Sequence, residues 1–185
     1  MRNIMSHIVW VTLLIGVGLG LTSCGESAGG GSKSTVFLTA EGQEKCGLYA
    51  DVYDAAIVGT VADDTFWITI TSSAKDQAGG TTLSRYSDVV LEEYRVTYYR
   101  VDGNPNVPDP FTIQMQFPIP AGGSGDIETL VLRREAKLKS PLRELALGGG
   151  EGNIQFNALI DFYGKDLAGN HVSVSYNLPL FVGDY

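Results

Sequence analysis

Phe111-Thr112-Ile113-Gln114-Met115-Gln116-Phe117 alternates apolar and polar side chains over seven consecutive positions. A strand turns successive residues to opposite faces, so this stretch carries its apolar groups on one face and Thr112, Gln114 and Gln116 on the other. The same period of two runs through Phe66-Trp67-Ile68-Thr69-Ile70-Thr71, through Ile154, Phe156, Ala158, Ile160 and Phe162, and through Val172, Val174, Tyr176 and Leu178. Residues 89–101 form a longer β-rich segment, with Tyr94, Val96 and Tyr98 on one face and Arg95, Thr97 and Tyr99 on the other. A further strand is predicted over 127–134, and shorter candidates lie at 36–39 and 56–61. Clusters of Gly, Pro, Asp and Asn separate these segments. The pattern predicts an all-β, antiparallel sandwich or barrel.

Helical signals are sparse. Ser140 fits an N-cap, Pro141 the first helical position and Gly148 the stop of a short helix over 140–147, placed in a crossover loop between two strands. Strands and helices do not alternate, which excludes dinucleotide-binding and hydrolase-type α/β scaffolds.

Composition narrows the class further. The chain has 185 residues, 44% of them hydrophobic, with 13 Lys+Arg against 21 Asp+Glu and a net charge of -8. An acidic chain of this kind is not built to neutralise phosphates, so no nucleic-acid partner is expected. The length suits one domain, large enough to rest on its own core.

The N-terminus carries Arg2 and then an apolar run that ends at Leu21-Thr22-Ser23-Cys24. The uncharged part, residues 8–20, is too short to span a hydrocarbon core of roughly 30 Å as a helix, and the segment reads as a signal peptide over 1–23. The quartet resembles the lipobox of bacterial lipoproteins. The resemblance implies cleavage before Cys24, a diacylglycerol on its thiol and usually an acyl chain on its amine. It also implies attachment to a bacterial cell envelope, and Gly25 rather than Asp after the cysteine favours the outer membrane. Several acyl chains anchor durably where a single one binds only marginally. Residues 24–35, rich in Gly and Ser, then read as a lipidated flexible tether to a folded domain over 36–185. With Cys24 acylated, Cys46 has no intramolecular disulfide partner and is expected to be buried and inert.

Near the C-terminus, Asp166-Leu167-Ala168-Gly169-Asn170 joins two strands, with Gly169 and Asn170 suited to the turn. This hairpin resembles the last hairpin of bacterial immunoglobulin-like and fibronectin-type modules. The resemblance implies an Ig-like β-sandwich and transfers no activity.

The remaining motifs are weighed as chemistry. One mature histidine, His171, and one spare cysteine exclude a zinc site built from His and Cys. Asp102, Asn104, Asn106 and Asp109 place oxygens at alternate positions, as calcium loops do. However, the loop lacks the sixth-position glycine and the twelfth-position Glu, and it contains Pro105 and Pro108, so a stiffened hairpin loop is the expected reading and no metal cofactor is assigned. Asp63, Asp64 and Asp166 are further acidic turn residues that would matter only if such loops converged. No G-x-S-x-G elbow or phosphate loop occurs, and Glu92 and Glu93, adjacent on a strand, are expected to face opposite ways. No enzymatic activity is expected.

Two surface features remain. Arg133, Arg134, Lys137, Lys139 and Arg143 gather basic charge in an acidic chain, either as a docking patch for an anionic partner or as solvated charges guarding a strand end. Trp67 and Tyr99 lie opposite the apolar residues of their strands, as an outward recognition surface or as core. The expected function is therefore a lipid-anchored, non-enzymatic interaction or structural module that contacts an envelope protein or surface polymer. The alternative is a small-ligand or carbohydrate-binding sandwich, assisted by calcium if the acidic loops meet.

Overall fold

The computed structural model describes residues 33–44, 46–53, 60–76 and 83–185. Eight strands run in the order β1 (Val36–Gly42), β2 (Leu48–Asp51), β3 (Asp64–Ala74), β4 (Val89–Arg100), β5 (Phe111–Ile119), β6 (Ser124–Leu132), β7 (Asn153–Asp166) and β8 (His171–Gly183). They form a three-stranded sheet ordered β1-β3-β6 and a five-stranded sheet ordered β2-β8-β7-β4-β5. The molecule is all-β, as the alternation predicts. The candidate strand at 56–61 falls mostly outside the described residues.

The alternation also places the core. Phe66, Ile68 and Ile70 from β3 and Tyr94, Val96 and Tyr98 from β4 are all buried. So are Phe156, Ile160 and Phe162 from β7. Each such side chain contributes about 1.5–3 kcal/mol relative to exposure. Two tyrosines tie the sheets together through their hydroxyls. Tyr98 Oη donates to the carbonyl of Val131 at 2.5 Å, and the Leu130 amide donates to Tyr94 Oη at 3.0 Å. Burial pushes both phenols above their ordinary range, so both stay neutral, Tyr98 as donor and Tyr94 as acceptor.

Four features depart from the sequence reading. First, the pairing is not wholly antiparallel, because β2 runs parallel to β8, with Leu48 opposite Leu180 and Asp51 opposite Gly183. Four residues give no readable period, and the pairing is made between opposite ends of the chain.

Second, no regular helix spans 140–147. One α-turn, α1 (Arg134–Lys137), precedes a 3-10 segment at Leu142–Gly148 that is interrupted by extended Ala146 and by Leu147 at φ 58°. Only Leu142 and Leu145 are buried there, too little apolar surface to carry an isolated helix past its nucleation cost. Ser140 Oγ meets the Glu144 carboxylate at 3.1 Å instead of capping a backbone amide.

Third, β4 shifts register between Leu91 and Glu93 against both neighbours. Leu91 and Tyr94 both point inward, so Glu92 and Glu93 both lie on the outer side instead of facing opposite ways. Glu92 meets Lys165 at 3.1 Å and Glu93 accepts from Gln114 Nε2 at 2.5 Å. Opposite the shift sits Gly164, where a Cβ would come within 2.2 Å of the Val90 carbonyl oxygen.

Fourth, the fold begins before residue 36. Ser34 is buried, and Thr35 Oγ1 lies 2.9 Å from Ser87 Oγ.

The final hairpin turns as its sequence suggests. Gly169 takes φ 86°, and the buried Asp166 accepts from the Asn170 amide at 2.8 Å and from its side chain at 3.0 Å. Although burial pushes the Asp166 carboxyl up, the hydrogen bonds from Asn170 and Ser34 outweigh it and hold the group below the usual range.

Candidate functional site

The end of the fold where β4 stops and β7 starts gathers most of the charged residues singled out from the sequence. Arg100 continues the inward parity of Tyr94, Val96 and Tyr98, and its side chain is buried. A guanidinium there needs partners. Its Nε and Nη2 donate to the two oxygens of Asp102 at 2.9 and 2.5 Å, and Nη2 also donates to Glu151 at 2.7 Å. This bidentate geometry is the strong form of the interaction. The bonds from Arg100 and from the Asn104 amide hold the Asp102 carboxyl low. A depression of about 260 Å³ lies against the clamp, lined by Arg100, Val101, Asp102, Glu151 and residues 153–155.

The loop at 102–109 spends its oxygens internally. Besides its bonds to Arg100, Asp102 accepts from the Asn104 amide at 3.0 Å, Asn104 accepts from the Asn106 amide at 2.9 Å, and Asp109 faces Lys139 at 3.6 Å. Among the described residues, no three His, Cys, Asp or Glu side chains come together as a metal group. A cation at Asp102 would have to displace Arg100. Asp63 and Asp64 do reach this end of the molecule, but they bond to its basic segment, and Asp166 lies at the other end.

The basic segment is not a single patch. Lys137 is inside: its side chain is 2% exposed, with Nζ 2.7 Å from Asp64 and 2.6 Å from the Asp51 carbonyl. Burial pushes the Asp64 carboxyl up, against the pull of Lys137. Lys137 therefore fits neither reading of the basic segment, docking charge or solvated guard, because its ammonium joins β2, β3 and α1 and never reaches the surface. Arg133 stacks over the Phe111 ring at 4.6 Å. Arg134, Lys139 and Arg143 are exposed, with Arg134 3.8 Å from Glu135. Exposed pairs of this kind contribute about 0–1 kcal/mol.

Trp67 and Tyr99 are both exposed, at 46% and 53%, so neither ring packs into the core. They do not meet. Trp67 sits on the outer face of β3 beside Glu128, whereas Tyr99 sits on the outer face of β4 beside Asn157. The two sheets pack through their inner faces, so these rings point away from each other.

The larger sheet presents the richer surface. Tyr99, Asn157 and Pro179 form one cross-strand row, and Gln155, Phe181 and Tyr49 the next. Tyr49 stacks on Phe181 with centroids 4.9 Å apart, and Tyr185 meets Tyr49 edge-on at 5.9 Å. These two rows carry no charge. Further along the same face lie Arg95, Asp161 and Ser175, with Ser175 Oγ donating to Asp161 at 2.6 Å, and then the exposed Tyr163. Sequence reasoning overlooked Tyr163 although its period was legible, since Phe162 points inward. It could not have found Tyr49, because the β2 pairing is non-local. Cys46 is exposed rather than buried, since it lies in the connection before β2 and not on a core-facing strand position.

No family model matches the chain, and no curated protein matches it. A solved structure described as the X-ray structure of Northeast Structural Genomics Consortium target SoR45 is similar over 80% of this chain and 84% of its own, at 9% identity and a TM-score of 0.31. That likeness is too slight to bear on fold or function.

Proposed function

We propose that the chain is a lipid-anchored, non-enzymatic interaction module of a bacterial cell envelope, held at the outer membrane by acylated Cys24 and built on an Ig-like sandwich. Supporting the sandwich reading, β8, β7 and β4 lie side by side as the last, penultimate and middle strands do in Ig modules, and β3 and β6 pair in the opposing sheet. The observation that carries the interaction reading is the outer face of the five-stranded sheet, where Tyr49, Tyr99 and Tyr163 stand 62%, 53% and 40% exposed. Tyrosine is enriched at protein interfaces because it offers rigid apolar area with a polar tip.

The test places a photo-crosslinking side chain at position 99 or at position 67 in cells. A discrete adduct from position 99 and none from position 67 is expected. No adduct from 99, or equal products from both, would refute the assignment of the face. Cys24→Ser tests the anchor separately: the variant should lose membrane fractionation, and continued membrane association would sink that part.

The uncharged rows of aromatic and amide side chains favour a second reading, a saccharide-binding face, in which rings cover sugar CH groups and Asn157 and Gln155 bond hydroxyls. Calcium would not assist there, because both Asp102 oxygens already accept from Arg100. Tyr99→Ala should then abolish retention on envelope polysaccharide while leaving the melting temperature unchanged.

A further inference from the structure

β5 ends the five-stranded sheet, and among the described residues no strand pairs with its far side. Such an edge presents unpaired amides and carbonyls, and natural sheets blunt long edges with charge, brevity or proline. The other edges are blunted. β2 is four residues long, β1 carries Glu41, and β6 carries Asp126 and Glu128. β5 runs nine residues, Phe-Thr-Ile-Gln-Met-Gln-Phe-Pro-Ile, with no charged side chain at all. Pro118 removes a single donor near its end, and although the register against β4 shifts between Gln114 and Phe117, 111–117 keeps its strict alternation of exposure. The inward Ile113, Met115 and Phe117 are only partly buried, so the open flank of the sheet is apolar below and amide-rich above.

We infer that β5 is a pairing edge whose occupant is β5 of a second copy, in antiparallel register, joining two five-stranded sheets into one. Charge selects this occupant. Two copies of a chain of net charge -8 repel and can approach closely only where the surface is neutral. Beside β5, Glu93 faces Gln114 and Arg95 faces Thr112, one charge of each sign that offset one another. The strand also complements itself. An antiparallel pair sets its inward apolar residues against their like, and Thr and Gln against Thr and Gln, with no like charges opposed. The contact is isologous, so it closes at two copies and cannot propagate through the short β2 edge. The inference does not depend on what the tyrosine face binds, nor on the anchor.

The test is the protein mass of the full chain purified in mild detergent, measured by light scattering with ultraviolet and refractive detection. A dimer is expected at a concentration on the order of 100 µM, where a small interface is populated. The exposed substitutions Gln114→Lys and Gln116→Lys together should weaken it at least tenfold, while Gln155→Lys on β7 leaves it intact. A monomeric parent, a dimer that survives the double substitution, or equal loss in Gln155→Lys would each overturn the inference. A short bis-maleimide provides a second measurement in the Cys46→Ser background. Gln114→Cys, at the middle of 111–117 and so opposite its own copy in an antiparallel pair, should link two copies, because paired strands lie about 4.8 Å apart, and Gln155→Cys should not. If Cys24 were unacylated, both variants would cross-link equally, so a failed anchor is recognised separately from a failed edge.

Discussion

Replacing Lys137 with Met keeps most of its aliphatic stem and removes its ammonium. The structure places that ammonium between the Asp64 carboxylate at 2.7 Å and the Asp51 carbonyl at 2.6 Å, on a side chain 2% exposed. The substitution therefore leaves a largely buried carboxylate and an adjoining carbonyl without their donor. Breaking a buried pair from one side costs about 3–5 kcal/mol, more than the pair itself contributes, because the surviving charge cannot be rehydrated. For a domain of this size, 1 kcal/mol moves the melting temperature by about 2–4 °C, so a fall of about 6–20 °C is expected. Thermal unfolding followed by circular dichroism at pH 7, with urea titration for the free energy, measures it.

The pH dependence carries a sign. Burial already holds the folded pKa of Asp64 above its unfolded value, and losing Lys137 raises it further. A carboxyl raised in the folded state binds its proton more readily there, so the penalty is present at neutral pH and shrinks as pH falls through the folded value. Adding Asp64→Asn should recover much of the loss. A change below about 1 kcal/mol for Lys137→Met, the size typical of a solvated surface lysine, would refute the internal placement.

Three further outcomes are expected. Tyr98→Phe leaves the Val131 carbonyl without its 2.5 Å donor and should cost about 1–3 kcal/mol in urea titration. Gly164→Ala drives a Cβ to 2.2 Å from the Val90 carbonyl oxygen, and should lower stability by about 1–3 kcal/mol or prevent folding; a neutral result would deny the β4 register shift. Acid titration should show a stability loss that Asp166→Asn diminishes. Its carboxyl is held below the usual carboxylate range, so its contribution is complete above the unfolded pKa of about 3.9 and disappears as pH falls through the lower folded value.

The legible part of this protein followed from periods of two. Phe111 to Phe117, Phe66 to Ile70 and Ile154 to Phe162 each showed which side chains share a face, and the same parity set Trp67 and Tyr99 opposite the apolar ones. It also held an unused signal at Arg100, a charge on the inward parity of β4 that needed the acidic partners Asp102 and Glu151 supplied by the adjoining loops. Lys137 carried no comparable signal. It sits in one turn of helix among exposed basic neighbours, and only the approach of Asp64 and Asp51 from distant positions makes it internal. The β4 register shift was equally silent, because it arises from pairing with β5 and β7 and not from the Glu92-Glu93 dipeptide.

By itself, then, the sequence determined the strands other than β2, most of their alternating faces and the turn at Asp166–Asn170, because the pleat and the αL preference of glycine are local properties of the backbone. Tertiary structure decided which strands share a sheet, that β2 lies parallel to β8, that Trp67 and Tyr99 look in opposite directions, and that β5 is left at an edge. Those outcomes depend on contacts between residues tens of positions apart, whose free energy no local pattern records.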